Sequence, residues 1–280
     1  MRIDLHTHSR VSDGTQSPRE LMRAARAAGL DVVALTDHDT TAGWEEAADA
    51  AEAAGIELVR GIEISTRHRG SGVHLLAYLP DPAHPGLRRE LDRIVEGRDS
   101  RAPAMVAVLQ GLGLDLTVDD VAGELSADTV IGRPHVADAM VRKGIVASRD
   151  EAFARYLDEG RPGYVDRYAA RLTDMIATVA DAGAVSVLAH PWGRGRRSAL
   201  PPEEIAALAA LGLGGLEVDH QDHDDDARAE LRGLAGDLGL IVTGSSDHHG
   251  TGKVDHELGC HTTAVAEYER LLDRAAEGPA

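Results

Sequence analysis

Met1-Arg2-Ile3-Asp4-Leu5-His6-Thr7-His8-Ser9-Arg10-Val11-Ser12-Asp13-Gly14 is the stretch whose reading decides the fold. Arg2 to Leu5 reads as a short buried strand that ends in His6-Thr7-His8. Side chains alternate between the faces of a strand, so His6 and His8 point the same way. Two imidazoles on one face at a strand end can grip one metal ion. Asp13 comes next, in a Ser-Asp-Gly turn that can fold its carboxylate back. Such a strand needs partners from elsewhere in the chain.

The partners recur in a rhythm. Ser17-Pro18-Arg19-Glu20 is a capping box with proline at the first helical position. Leu21, Ala24, Ala25 and Ala28 form one helical face, and Gly29 stops the helix. Val32 to Leu35 is an apolar run suited to a strand buried on both faces. It ends in Thr36-Asp37-His38-Asp39. A helix from about Ala42 stops at Gly55, a strand at Glu57 to Val59 leads to Gly61-Ile62-Glu63, and Val73 to Tyr78 is the next strand. From Leu87 to Tyr168 the rhythm breaks. A helix from Leu87 to Leu112, interrupted near Pro103, and shorter helices at Thr117, at Arg133 to Lys143 and after Ser148 predict an all-helical insertion. Alternation resumes at Leu172, with strands from Val185 to Ala189, Gly215 to Val218 and Leu240 to Thr243. A last strand is expected near Cys260 to Ala264, before a C-terminal helix.

Strands alternating with helices predict parallel pairing, a β/α barrel, and an active site at the C-terminal ends of the strands. That edge collects His6, His8, Asp13, His38, Glu63, His74, His190, Asp247 and His249. His68, His84, His223, His256 and His261 are expected in loops or at the surface. Mixed imidazole and carboxylate donors suit Mn, Fe or Zn, with Mn the first expectation, and exceed what one ion needs. Two or three divalent ions are expected, with Glu63 as the bridging carboxylate. Glu63, Asp247 and His38 are the candidates for catalysis.

Composition sets bounds. The chain has 280 residues, is 43% hydrophobic and 3% aromatic, and carries a net charge of −18. That charge argues against binding long nucleic acid. It does not argue against a small anion held by metal ions. Lys143 and Lys253 are the two lysines, and Cys260 is the one cysteine. A lone cysteine forms no internal disulfide, and no apolar run approaches the ~18 residues of a membrane span. A cytoplasmic protein without membrane contact is expected.

His6-Thr7-His8-Ser9, Ser12-Asp13-Gly14, Leu35-Thr36-Asp37-His38-Asp39, Gly61-Ile62-Glu63, Ala189-His190-Pro191 and Ser246-Asp247-x-His249-Gly250 resemble the PHP (polymerase and histidinol phosphatase) metal-dependent phosphoesterases. Gly132-Arg133-Pro134-His135 and Tyr164-Val165 resemble the branch of 3′,5′-nucleoside bisphosphate phosphatases and 5′-to-3′ exoribonucleases. The resemblance implies a distorted seven-stranded TIM-like barrel, residues 1–86 and 169–280, with 87–168 as a helical lid or substrate domain. It also implies a trinuclear site. His6, His8, Glu63 and Asp247 would hold one ion, Glu63, His74 and His190 a second, and Asp13, His38 and His249 a third. His248 and Asp219 stand where that branch commonly has aromatic residues, and Trp192 interrupts the usual run after Pro191.

The expected activity is hydrolysis of a phosphate monoester of a small nucleotide, such as 3′-phosphoadenosine 5′-phosphate, by metal-activated hydroxide. Arg133 and His135, at a helix N-terminus that itself favours anions, are the candidate contacts to substrate, with Arg194 and His220 beside them. The alternative is 5′-to-3′ trimming of short 5′-phosphorylated RNA. An amidohydrolase is a further alternative, although neither lysine ends a predicted strand to serve as a carbamylated bridge. A non-catalytic nucleotide sensor should lack ligands, and none is missing.

Overall fold

In the computed structural model, residues 1–123 and 131–278 are described, apart from the side chains of Arg98, Asp99, Arg194 and Arg196. β1 (Ile3–Asp4) is short, and the chain turns through residues 9–14 into α1 (Pro18–Ala27). The Ser17 hydroxyl accepts the Glu20 N–H, and the Glu20 carboxylate accepts the Ser17 N–H, so both ends of the capping box are made. β2 (Val32–Leu35), α2 (Trp44–Ala54), β3 (Glu57–His68) and β4 (Ser71–Tyr78) come after it. Between β4 and β5 (Ala170–Arg171) lie α3 (Pro85–Gly111), α4 (Val118–Ala122), α5 (Arg133–Arg142) and α6 (Arg149–Ala152). Then α7 (Leu172–Asp181), α8 (Pro202–Ala210) and α9 (Asp225–Leu238) precede β6 (Val185–Leu188), β7 (Gly215–Asp219) and β8 (Ile241–Gly244) in turn.

β1, β2 and β3 pair in parallel, as the alternation implies. β4 does not. β3 is one twelve-residue strand, and Arg69 and Gly70, both with left-handed backbone, fold it straight back into β4. A two-residue turn of this kind joins antiparallel strands, because its twist matches theirs. β4 is therefore antiparallel to β3, and to β6 on its other side. β5 extends the sheet beside the end of β3. β6, β7 and β8 are again parallel. The order β1-β2-β3-β4-β6-β7-β8 makes a nearly closed barrel of seven strands. A parallel bridge between Thr7 and His248 joins its two edges, with the His8 N–H on the His248 carbonyl at 2.8 Å.

Alternate strand residues fill the interior. Ile3 and Leu5, Val32 and Ala34, Leu76 and Tyr78, and Val185 and Val187 share one buried cluster with Ile241. This is the period of two expected when one face of each strand turns inward. Tyr268 and Leu271 of α10 (Val265–Glu277) pack against it.

Two further expectations need correction. Residues 260–264 form no strand. The Thr263 N–H reaches the Ile3 carbonyl and its hydroxyl bonds Gly244, so side-chain bonding replaces a ladder. α3 runs through Pro103 without interruption. Proline removes one N–H, and the remaining turns of a long helix carry it across.

The residues group into two compact units, Met1–Leu91 with Ala170–Ala280, and Asp92–Ala169. The regular elements of the second are helical among its described residues. It packs its own core of Met105, Val106, Leu109, Leu116, Val136, Met140, Ala152 and Leu157. Among the described residues no helix is long and apolar enough to cross a membrane.

Within the barrel, the fully buried Tyr78 hydroxyl donates to the Leu5 carbonyl at 2.8 Å. Tyr78→Phe removes that donor, and stranding a buried acceptor costs about 1–3 kcal/mol. The urea midpoint of unfolding should fall accordingly, and an unchanged midpoint would contradict this role.

Candidate metal centre

The strand ends build the site. β1 runs on into His6 and His8, β2 into His38, β6 into His190, and β8 into Asp247 and His249. Glu63 projects from β3. His74 lies near the start of β4, opposite Ser65 of β3. Because β4 is antiparallel, its beginning shares the barrel edge where the parallel strands end. Asp39, His190 and Asp247, each within a few residues of a strand end, have left-handed backbone with φ of 57°, 31° and 51°. Such conformations cost of order 1–3 kcal/mol outside glycine and concentrate at functional sites. Gly14 closes the loop that carries Asp13. A Cβ there would lie 2.4 Å from the His8 carbonyl oxygen, so only glycine lets this loop return so close.

Glu63 stands at the centre, with its two oxygens in different company. Oε2 is 3.2 Å from His6 Nε2, 3.1 Å from His8 Nε2 and 3.3 Å from His38 Nδ1. Oε1 is 2.7 Å from His74 Nδ1 and 3.2 Å from His190 Nε2. Asp247 Oδ1 is 3.5 Å from both His6 Nε2 and His8 Nε2. Asp13 gathers the remaining histidines, with Oδ1 3.2 Å from His249 Nε2 and Oδ2 3.8 Å from His38 Nε2. These groups are buried, and only the His74 ring is substantially open to solvent.

Among the described residues four groups could each hold an ion: His6, His8, Glu63 and Asp247; His8, Asp13, His38 and His249; His38, Glu63 and His74; and His220, Asp247 and His256. The first fits a metal by its spacing. Donors bound at about 2.0–2.1 Å in a tetrahedron lie about 3.3–3.4 Å apart. The separations seen are 2.9–3.5 Å.

Buried neighbours orient the donors, as outer partners of metal ligands usually do. The His6 Nδ1–H donates to Glu217 Oε1 at 2.9 Å, which turns Nε2 inward. Glu217 Oε2 accepts the His190 backbone N–H at 2.8 Å. The His249 Nδ1–H donates to the Asp247 carbonyl at 2.8 Å, leaving Nε2 for Asp13. Asp37 takes the Ser9 N–H and the Ser9 and Ser12 hydroxyls, and Asp4 takes the Ser246 and Gly259 N–H groups. Both acids keep these partners but lose water, and the loss dominates, so burial raises the pKa of each.

Electrostatics bind the cluster together. Burial alone would raise the pKa of Glu63, but His38, His74 and His6 outweigh it and hold it well below the usual carboxylate range. Burial likewise opposes ionisation of Asp13 and Asp247. His249 and His38 beside the first, and Lys253 and His6 beside the second, hold both low. Burial would lower the His8 pKa, yet its hydrogen bonds to Asp247 and Glu63 raise it to about 9. His6 is also raised, because Glu217, Glu63 and Asp247 overcome its burial.

The remaining candidates from the sequence were those expected to touch substrate. His220 is fully buried, with Nε2 3.2 Å from Asp247 Oδ2. In the helical unit, Arg133 opens α5, and its guanidinium lies over Phe153 and Tyr164 and donates to the Leu157 carbonyl. His135 Nδ1 accepts the Gly132 N–H at 2.9 Å, which puts the ring proton on Nε2. The side chain of Arg194 lies outside the described residues. His68, His223 and His256, expected in loops or at the surface, are buried. Ring nitrogens bonded to Glu204, to the Val218 carbonyl and to the Val254 carbonyl make that burial tolerable.

Sequence reasoning passed over two residues. Glu217 sits within an apolar strand, and an acid at that place is itself the signal. Lys253, in the turn after His249, places its ammonium on Asp247.

A family model described as the PHP domain matches residues 4–102. A 3′,5′-nucleoside bisphosphate phosphatase of Chromobacterium violaceum is 36% identical over 98% of this chain and 96% of its own. The chain belongs to the PHP-domain family. A 5′-3′ exoribonuclease of Haemophilus influenzae is 35% identical over 89% of this chain and 90% of its own. A solved structure described as a metal-dependent phosphoesterase from Bifidobacterium adolescentis superposes with a TM-score of 0.92 at 38% identity, covering 97% of this chain and 96% of the other. This PHP protein is a metal-dependent phosphoesterase, with a buried cluster able to hold metal.

Two outcomes are expected of the PHP centre. Glu217→Gln keeps the shape but weakens the acceptor behind His6, and loss of such a partner typically costs 10–100-fold in metal affinity. Chelator competition on the purified variant should show that loss with its circular dichroism unchanged. Below pH 9, the metal-free His8 is protonated, since its pKa is about 9. A metal ligand must be unprotonated. His6, whose pKa is also raised, must lose its proton as well, so metal uptake at about pH 7.5 should release protons and affinity should rise with pH through about 9. Calorimetry in two buffers of different ionisation enthalpy measures the release, and equal heats in both would contradict it.

Proposed function

We infer that this chain removes a phosphate from a nucleoside 3′,5′-bisphosphate. The observation that carries the reading is the likeness to the bisphosphate phosphatase, which runs along 98% of the chain and so includes the helical segment as well as the barrel. His6, His8, Glu63 and Asp247 would hold one ion, Glu63, His74 and His190 a second, and Asp13, His38 and His249 a third, with Mn the first expectation for their identity. Bound divalent ions supply Lewis acidity toward phosphoryl oxygens and ease the ionisation of water.

The chain's own residues do the rest. Glu63 spans two groups of histidines through its separate oxygens and fixes their spacing. Glu217 holds His6 in the tautomer that presents Nε2. Once ions neutralise its carboxylates, the cluster would favour the triply oxygenated, negatively charged end of a phosphate monoester. The segment 87–168 is proposed as the substrate-holding domain, with Arg133 and His135 recognising the phosphate that is not cleaved. A guanidinium makes paired, charge-assisted bonds to phosphate. The proton on His135 Nε2 supplies a further donor.

The exoribonuclease reading has support of its own in the Haemophilus relative. It concerns the chain beyond the first nucleotide of the substrate, not the metal ligands. The net charge of −18 favours the small nucleotide over a long RNA.

Arg133→Ala tests the reading. Losing a charge-assisted contact costs about 1.5–3 kcal/mol, on the order of tenfold to a hundredfold. Catalytic efficiency on a nucleoside 3′,5′-bisphosphate should drop by that factor, while hydrolysis of an aryl phosphate, which has no second phosphate, should hardly change. Equal losses on both substrates, or no loss on either, would refute the assignment. Parallel assays with a short 5′-phosphorylated RNA separate phosphatase from exoribonuclease.

A further inference from the structure

Asp247 has one oxygen inside the ligand cluster and one outside it. Oδ1 is 3.5 Å from His6 Nε2 and from His8 Nε2. Oδ2 faces His220 Nε2 at 3.2 Å and the Lys253 ammonium, which lies against it. The backbone fixes the tautomer of His220. The Asp222 N–H donates to His220 Nδ1 at 3.0 Å, so the ring proton is on Nε2 and is given to Asp247. Lys253 comes after a short 3₁₀ turn, Gly250–Gly252, and its side chain is only 18% exposed. In a chain with two lysines, one is committed to this spot.

The neighbourhood offers another reading. His220, Asp247 and His256 present ligand atoms within 4.8 Å of one another. Among the described residues His256 Nε2 is buried with no hydrogen-bond partner, while its Nδ1–H is held by the Val254 carbonyl. A further ion could be imagined there. Two observations oppose it: the hydrogen on His220 Nε2 occupies the nitrogen that would ligate, and an ammonium already answers the charge of Oδ2.

A carboxylate can bind an ion through either oxygen or through both, and hydrogen bonds to one oxygen remove that freedom. We propose that Lys253 is a positioning residue of the metal centre: with the His220 N–H it holds Oδ2 of Asp247 and leaves Oδ1 for an ion shared with His6, His8 and Glu63. This rests on the assignment of Asp247 as a ligand and not on the identity of the substrate.

The test measures metal affinity without substrate. Chelator-stripped protein, Lys253→Met and Lys253→Arg are titrated with Mn or Zn against a chromogenic chelator. Lys253→Met should weaken the tightest site by about tenfold to a hundredfold, the range for losing an outer partner of a ligand. Lys253→Arg keeps a cation and should recover the greater part. If the methionine variant does not fold, as judged by circular dichroism, Lys253→Gln replaces it and should weaken binding in the same direction. Unchanged or tighter binding on loss of the ammonium would overturn the proposal, because it would make Lys253 a bystander or a competitor for the ion's place. These affinities stand or fall independently of which nucleotide is hydrolysed.

Discussion

A carboxylate buried among five imidazoles is the constraint on which the structure depends. Glu63 is almost without solvent contact, and alone it would be expelled or protonated. Its two oxygens are met by His6, His8 and His38 on one side and by His74 and His190 on the other. Those histidines come from β1, β2, β4 and β6 or the residues just beyond them, and Glu63 from β3. The barrel must therefore bring all of these strands within a few ångströms of one point. The short first strand, the antiparallel β4 and the left-handed residues beyond the strands are what this convergence requires.

Around that centre the burial of charge continues outward. His6 leans on Glu217, Glu217 on the Ser245 hydroxyl and the His190 N–H, and Asp247 on His220 and Lys253. Each of these acids has a donor, and the rings of His6, His220 and His249 each have a fixed tautomer. Hydrogen bonds made in a buried site hold each of these side chains in one arrangement. The outer residues are therefore as much a part of the centre as the ligands.

Much of this was legible in the sequence, for physical reasons that can be named. His6 and His8 were readable because a strand's alternation puts them on one face. His38, His190 and Asp247 were readable because each comes after an apolar run. The direction of β4 was not, since a helix-interrupted rhythm implies parallel strands and the turn at Arg69-Gly70 is only two residues long. Glu217 was hidden by its apolar neighbours, and Lys253 by lying in a turn instead of at a strand end. The strand expected at residues 260–264 does not form, because Thr263 satisfies the backbone through its own hydroxyl.

The bridge between Thr7 and His248 has a consequence for the life of the chain. It lies between His6 and His8 on one edge and between Asp247 and His249 on the other, so the seam that closes the barrel is also the seam that gathers ligands from distant parts of the sequence. Anything that binds only the closed form stabilises it by mass action. An ion held by His6, His8, Glu63 and Asp247 would draw the last strand onto the first, and metal binding and completion of the fold would then be linked, with the ion as a clasp between the two ends of the barrel.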